Sequence, residues 1–288
     1  MNAIGGDTIA MLHTGVREAE TNFAALVIGT DGGNAAPNFS AGANLMLLLL
    51  EAQEGNWDEV DLMVRAFQGA TMAIKMAAVP VVVAPGGLTL GGGCEICLHG
   101  ARVQAAAETY MGLVEVGVGL IPGGGGTKEM LLRTPDVQKA FETIAFGKVS
   151  TSGPDARRLG YLRQADGFTM NRERLITDAK AIALAAAGVG YQAPVRRADI
   201  PVGGPNAFAT LSLGVHLALR AGRISEHDAL IGRKLAWILT GGNVPHATTL
   251  TEDQVLDLER EAFLSLCGEP KTLERIAYTL KTGKTLRN

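Results

Sequence analysis

Pro85-Gly86-Gly87-Leu88-Thr89-Leu90-Gly91-Gly92-Gly93-Cys94-Glu95 decides how this chain is read. The apolar run Val81 to Ala84 enters it, a glycine triplet follows, and Cys94-Glu95-Ile96-Cys97-Leu98 has the composition of a helix. A strand, a glycine turn and a helix start aim backbone N–H groups outward, because donors in the first helical turn have no intrahelical acceptor. Glycine lets an electron-rich group approach those donors and tolerates positive φ. Further along stands a second carboxylate, Glu115, in Met111-Gly112-Leu113-Val114-Glu115-Val116-Gly117. That segment is otherwise uncharged and leads into Ile121-Pro122-Gly123-Gly124-Gly125-Gly126-Thr127. Two acids in apolar, glycine-rich surroundings, one of them beside a candidate oxyanion site, point to chemistry.

Working outward, residues 1–20 hold Ile9, Leu12 and Val16 at helical spacing, and residues 23–28 read as a buried strand closed by a loop over 29–34. Phe39-Ser40-Ala41-Gly42-Ala43-Asn44-Leu45 is a second strand-to-helix passage built from small residues. Residues 57–77 carry Val60, Met63, Val64, Phe67 and Ile74 on one helical face, and Pro80 stops that helix. Residues 103–105 and 109–111 are short strand candidates, and 125–132 and 137–145 read as helices. Two strand–glycine loop–helix units in succession argue for an α/β core. Beyond Pro154 the pattern turns helical, over 155–159, 172–187, 205–221, 226–239, 252–266 and 271–280. The last third is therefore expected to be all-helical.

With 288 residues, 47% hydrophobic and 19% charged, the chain has the composition of a globular protein with a sizeable core. A net charge of −3 gives no electrostatic case for nucleic acid. Three cysteines make no disulfide framework, which favours a reducing compartment. Cys94-x-x-Cys97 lacks the second pair or nearby His of a zinc site, and the five histidines are scattered, so no metal is expected. No G-x-S-x-G elbow supports a serine hydrolase. No secretory signal opens the sequence, and the longest apolar run, 45–50, is far too short for a bilayer, so a cytoplasmic protein without membrane partners is expected.

The stretches 39–45, 90–95, 112–117 and 121–127, in this order and spacing, resemble the enoyl-CoA hydratase/isomerase (crotonase) family. The resemblance implies a crotonase-like spiral of ββα units with an all-helical C-terminal region, the catalytic core over residues 1–190 and the helical region over 191–288. It implies that the N–H groups of Ala43 and Gly92 form an oxyanion hole, that Glu95 handles the water and that Glu115 supplies the Cα proton. Coenzyme A would lie across Ala41, Gly42, Gly86, Gly87 and Gly91, as part of a thioester substrate and not as a cofactor. No NAD fingerprint is expected, since Gly188-x-Gly190-x-x-Ala193 follows a helix and runs into Pro194. Relatives in the family assemble as trimers or pairs of trimers.

More narrowly, the wording of the core and the ending 276–284 are similar to bifunctional enzymes of fatty-acid β-oxidation. In those a 3-hydroxyacyl-CoA dehydrogenase precedes a C-terminal hydratase module, and this chain resembles that module without its first strand pair. Both acids are present, which favours hydration of trans-2-enoyl-CoA to 3-hydroxyacyl-CoA. An enoyl-CoA isomerase and a non-catalytic acyl-CoA-binding and assembly module are the alternatives. The run Leu45-Met46-Leu47-Leu48-Leu49-Leu50 replaces the basic residues that relatives often carry, and part of it is expected either to line a pocket for an acyl tail or to pack in the core.

Overall fold

The computed structural model describes residues 2–30, 38–134 and 136–288. The part of the 29–34 loop from residue 31 onward lies outside the described residues. The order opens with α1 (Gly6–Asn22), β1 (Leu26–Gly29), α2 (Leu45–Glu54), α3 (Trp57–Met76) and β2 (Val81–Ala84). Next come β3 (Gly87–Leu90), α4 (Gly92–His99), β4 (Arg102–Ala106) and β5 (Thr109–Gly112). A 3-10 turn over Glu115–Val118 leads to α5 (Gly126–Arg133), α6 (Val137–Ala145), α7 (Gly153–Leu159) and β6 (Gly167–Thr169). The chain ends with α8 (Leu175–Gly188), β7 (Ile200–Val202), α9 (Gly204–Arg220), α10 (Glu226–Leu239), β8 (Thr248–Leu250), α11 (Glu252–Cys267) and α12 (Pro270–Thr282). These elements form two compact units, each assembled from three separated stretches of chain.

The first unit takes residues 1–44, 66–112 and 149–195. Its main sheet is parallel throughout, in the order β1-β2-β4-β6, and β3 pairs with β5 in a second parallel sheet. Val81-Val82-Val83-Ala84 is buried along its whole length, as a central parallel strand covered on both faces must be. On one face α8 sets Leu175, Ala179 and Ala183 against Val82, Ala84 and Ala106. Small residues one helical turn apart let that helix lie close to the strands. The sequence reading ran β2 straight into the glycine turn, whereas the structure interposes β3. Four residues flanked by glycines give no alternating pattern of their own; what makes them a strand is the distant partner β5, in register from Gly87↔Thr109 to Leu90↔Gly112.

The second unit takes residues 45–65, 113–148 and 196–288. Helix α10 packs against α9, α6, α5 and α11, while α12 packs against α2 and the 3-10 turn. Capping boxes start α10 (Ser225 with Asp228) and α11 (Thr251 with Gln254), so both helices begin where their local sequence dictates. The expectation of an all-helical last third needs one correction. β7 and β8 pair antiparallel, Ile200↔Leu250 to Val202↔Thr248, in a two-stranded ribbon. Pro201 is tolerated because each strand of such a ribbon is an edge. In α2, Leu48 and Leu49 are buried while Met46, Leu47 and Leu50 are exposed.

Candidate active site

In the first unit, two backbone passages lie against each other. Ser40 donates its N–H to the Leu88 carbonyl (3.1 Å), and its own carbonyl accepts the N–H of Leu90 (2.9 Å). The Ser40 hydroxyl donates to the Asn2 carbonyl (2.7 Å) and accepts the Gly42 N–H (3.1 Å). The Gly42 carbonyl accepts from Ile4 (2.9 Å), and Asn44 donates to the Ile4 carbonyl (2.9 Å). Gly42 has φ +103°, and a β-carbon there would stand 3.4 Å from the Leu90 oxygen and 3.7 Å from the Gly92 nitrogen. The Gly42–Ala43 turn and the Gly91–Gly92 turn are thus packed together.

Several backbone donors around this contact are used within the fold. Gly91 donates to the Gly112 carbonyl (2.8 Å), and Glu95 donates to the Gly91 carbonyl (3.0 Å) as α4 winds up. Among the described residues, neither the Ala43 N–H nor the Gly92 N–H donates a hydrogen bond. Gly92 is the first residue of α4, so its N–H adds to the positive end of that helix. Gly93 cannot carry a side chain, because a β-carbon would come within 2.7 Å of the Ser40 β-carbon. Glu95, in the first turn of α4, is 2% exposed, and the His99 ring lies 2.7 Å from its carbonyl. Cys94 and Cys97 are buried in the same helix.

The other glycines named from the sequence serve the backbone. The Gly86 carbonyl accepts the Phe39 N–H (2.9 Å), and Gly87 donates to the Glu108 carbonyl (3.0 Å). A β-carbon on Gly86 would stand 3.4 Å from both Ala106 and the Arg172 guanidinium. Ala41 is half-buried between Ser40 and Gly42.

Glu115 belongs to the second unit, where it opens the 3-10 turn. Its carbonyl accepts the Leu120 N–H (3.0 Å). The residue as a whole is half-buried, yet its Oε2 is sealed from solvent and has no hydrogen-bond partner. Removal from water, opposed by a hydrogen bond from its own backbone N–H and aided to a smaller extent by the charge of Glu259, pushes its pKa up to about 8. Glu259, on α11, is fully buried; it accepts the N–H groups of Gly125 (2.6 Å) and Thr127 (2.8 Å), at the start of α5. Burial pushes Glu259 up to about 7, opposed by those two hydrogen bonds and by Lys128. Beside it Lys128 is wholly buried between Glu129 (2.8 Å) and Glu252 (3.1 Å). A cavity of about 650 Å³ in this unit has Val114, Val116, Phe141, Leu211 and Leu217 among its walls and Arg223 and Arg287 at polar positions; no residue of the 45–50 run lines it.

The sequence reading missed Ser40 and Glu259. Ser40 was inside a motif already singled out, but its hydroxyl bond to Gly42 depends on the turn itself. Glu259 carried no local signal, since its hydrogen bonds reach 134 residues back along the chain. Among the described residues no cluster of His, Cys, Asp or Glu is arranged to hold a metal ion, and no helix is long and apolar enough to cross a membrane.

Comparison with solved structures defines the class first. An enoyl-CoA hydratase from Bacillus halodurans superimposes with a TM-score of 0.64 over 94% of this chain and 89% of that one, at 17% identity. At that identity the likeness speaks for the fold, which is the α/β crotonase fold. Residues 1–139 match the enoyl-CoA hydratase/isomerase family. A crotonyl-CoA hydratase of Syntrophomonas wolfei is 30% identical over 215 residues, spanning 69% of this chain and 77% of that protein. The chain belongs to the enoyl-CoA hydratase/isomerase family. A probable 3-hydroxyacyl-CoA dehydrogenase of Bacillus subtilis is 48% identical across all of this chain, which spans only 37% of that protein's length.

Proposed function

We propose that the chain is an enoyl-CoA hydratase, adding water reversibly to a trans-2-enoyl thioester of coenzyme A to give the 3-hydroxyacyl thioester. The observation that carries the reading is the pair of N–H groups at Ala43 and Gly92, left without acceptors where two turns pack together. Such donors suit a carbonyl oxygen that gains negative charge in the transition state, and they need no rearrangement when it does. The substrate's thioester oxygen takes these two hydrogen bonds. Glu95 accepts a proton from water as the new C–O bond forms at Cβ, the π bond opens toward Cα, and Glu115 delivers a proton there. A carboxyl held protonated near neutral pH suits the donor role, which agrees with the raised pKa of Glu115. No electrons are lost or gained, so the reaction itself calls for no redox cofactor.

The dehydrogenase named among the relatives supports a further reading, that a 3-hydroxyacyl-CoA dehydrogenase acts next on the product. A cytoplasmic homo-oligomer, a trimer or pair of trimers, belongs to the same proposal by family analogy. The experiment offers trans-2-enoyl and 3-enoyl thioesters separately and follows the conjugated absorbance together with product mass. Gain of one water by the 2-enoyl substrate is the expected result. A shift of the double bond in the 3-enoyl substrate without any hydration would replace this reading with an isomerase.

A further inference from the structure

Helix α11 sends two carboxylates from one face into the start of α5. Glu252 takes the Lys128 ammonium, and two turns later Glu259 takes the N–H groups of Gly125 and Thr127. A helix N-terminus needs acceptors, and the residue at its cap normally supplies one. Here the cap is Gly125, with φ +94° and no side chain, so the acceptor comes from α11. A neutral Gln could also accept a hydrogen bond at this place. Capping alone therefore does not explain why an ionisable carboxyl, and not an amide, is buried there.

The charge has a neighbour. The glycine run that Glu259 clamps begins at the Leu120 N–H bond to the Glu115 carbonyl, and the Glu259 charge acts to raise the Glu115 carboxyl. Among the buried and half-buried ionisable groups on the packed elements are Lys128, Glu129 and Arg133 on α5, Glu252 and Arg260 on α11, Arg275 on α12, and His227 and Asp228 on α10; Asp253, Asp257 and Glu261 on α11, Lys271 and Glu274 on α12, and Glu226 and Arg233 on α10 are exposed. Lys128 lies between Glu129 and Glu252, Arg133 faces Glu129 (3.6 Å), and Arg275 pairs with Asp228 (2.8 Å). His227 is held neutral by burial. The like charge that Glu115 meets is that of Glu259.

On the reading of Glu115 as proton donor, we propose that Glu259 is a positioning residue of the hydration step, fixing the glycine run that follows Glu115 and, by its charge, keeping the donor's proton in place. The asymmetry of the pair sets which carboxyl holds that proton. Glu259 has two N–H donors and Lys128 to favour its ionised form, whereas Glu115 has its own backbone N–H alone and an Oε2 without a partner.

The test reads Glu115 directly. In the full chain labelled with 13C-glutamate, the Glu115 carboxyl carbon is assigned by its loss in Glu115→Gln and titrated beside the pH profile of enoyl-thioester hydration. Glu259→Gln keeps an acceptor and removes the charge. It is expected to lower the Glu115 midpoint by about one pH unit and to move the alkaline limb of kcat the same way. Glu259→Asp, which restores the charge, returns both toward the parent. A folded Glu259→Gln protein that loses turnover with an unmoved midpoint overturns the proposal, because Glu259 then only caps α5. A midpoint that moves in a chain with no hydration activity supports the coupling and sinks the hydratase reading instead. The parent gives a check that needs no variant: the Glu115 and Glu259 carbons should each show both steps of a coupled titration. Two independent single-step curves would overturn the coupling.

Discussion

Replacing Gly42 by Ala tests the packed turns most finely, because the same substitution at Gly15 should act with the opposite sign. At φ +103° an alanine is strained by about 1–3 kcal/mol. The added β-carbon would meet the Leu90 oxygen at 3.4 Å and the Gly92 nitrogen at 3.7 Å, which are ordinary contacts, so sterics add little. The unfolded chain's lost freedom gives back about 0.4–1 kcal/mol. The net expectation is destabilisation centred on about 1.3 kcal/mol, the difference of the midpoints of those two terms. Gly15 lies within α1 with nothing inside 4 Å of its would-be β-carbon. There alanine should stabilise by about 0.5–1 kcal/mol. Denaturant unfolding of both variants, run beside the parent, measures the two signs. Turnover adds a second reading, since Gly42 sets the direction of the Ala43 N–H, and losing one oxyanion donor costs roughly 10²–10³ in kcat. Gly42→Ala with parental stability and parental kcat would refute the argument from backbone geometry.

Two further outcomes follow from the second unit. Lys128→Met leaves Glu129 and Glu252 buried without their ammonium and should destabilise the fold by about 3–5 kcal/mol; a urea midpoint close to the parent's would show that the triad matters little. His227 is pushed down to about 4 by burial first and Arg275 second, and its Nε2 lies 2.9 Å from the Thr272 hydroxyl. Since its folded pKa lies below its ordinary value of 6.5, the stability it contributes is present above 6.5 and is lost as pH falls through about 4. Thermal melts at falling pH should show that loss, and His227→Gln should reduce it; identical pH slopes in both proteins would count against the assignment.

What the sequence could and could not reveal follows from the range of the interactions involved. The helices at 137–145 and 226–239 begin and end where expected, because Asp136 and the Ser225–Asp228 box cap them locally. The strand at 81–84 was legible as an unbroken apolar run, and its burial on both faces explains why it does not alternate. β3, β6, β7 and β8 are three or four residues long and exist only through partners distant in sequence, so no periodicity announced them. The glycine turns at 42 and 91 were legible as small-residue clusters, while their contact with each other depends on the Ser40 bridge between β-type segments. Glu259 shows the same limit: within α11 it reads as one more acid on an amphipathic helix, and its partners at Gly125 and Thr127 come from another part of the chain.

The most direct measurement is hydration of crotonyl-CoA by the parent, Glu95→Gln and Glu115→Gln, followed as loss of the conjugated enoyl absorbance. The account predicts turnover by the parent and losses of roughly 10²–10⁴-fold in each folded variant, the usual weight of an acid or base group. Parental turnover in either variant, or a folded parent that hydrates nothing, would contradict it.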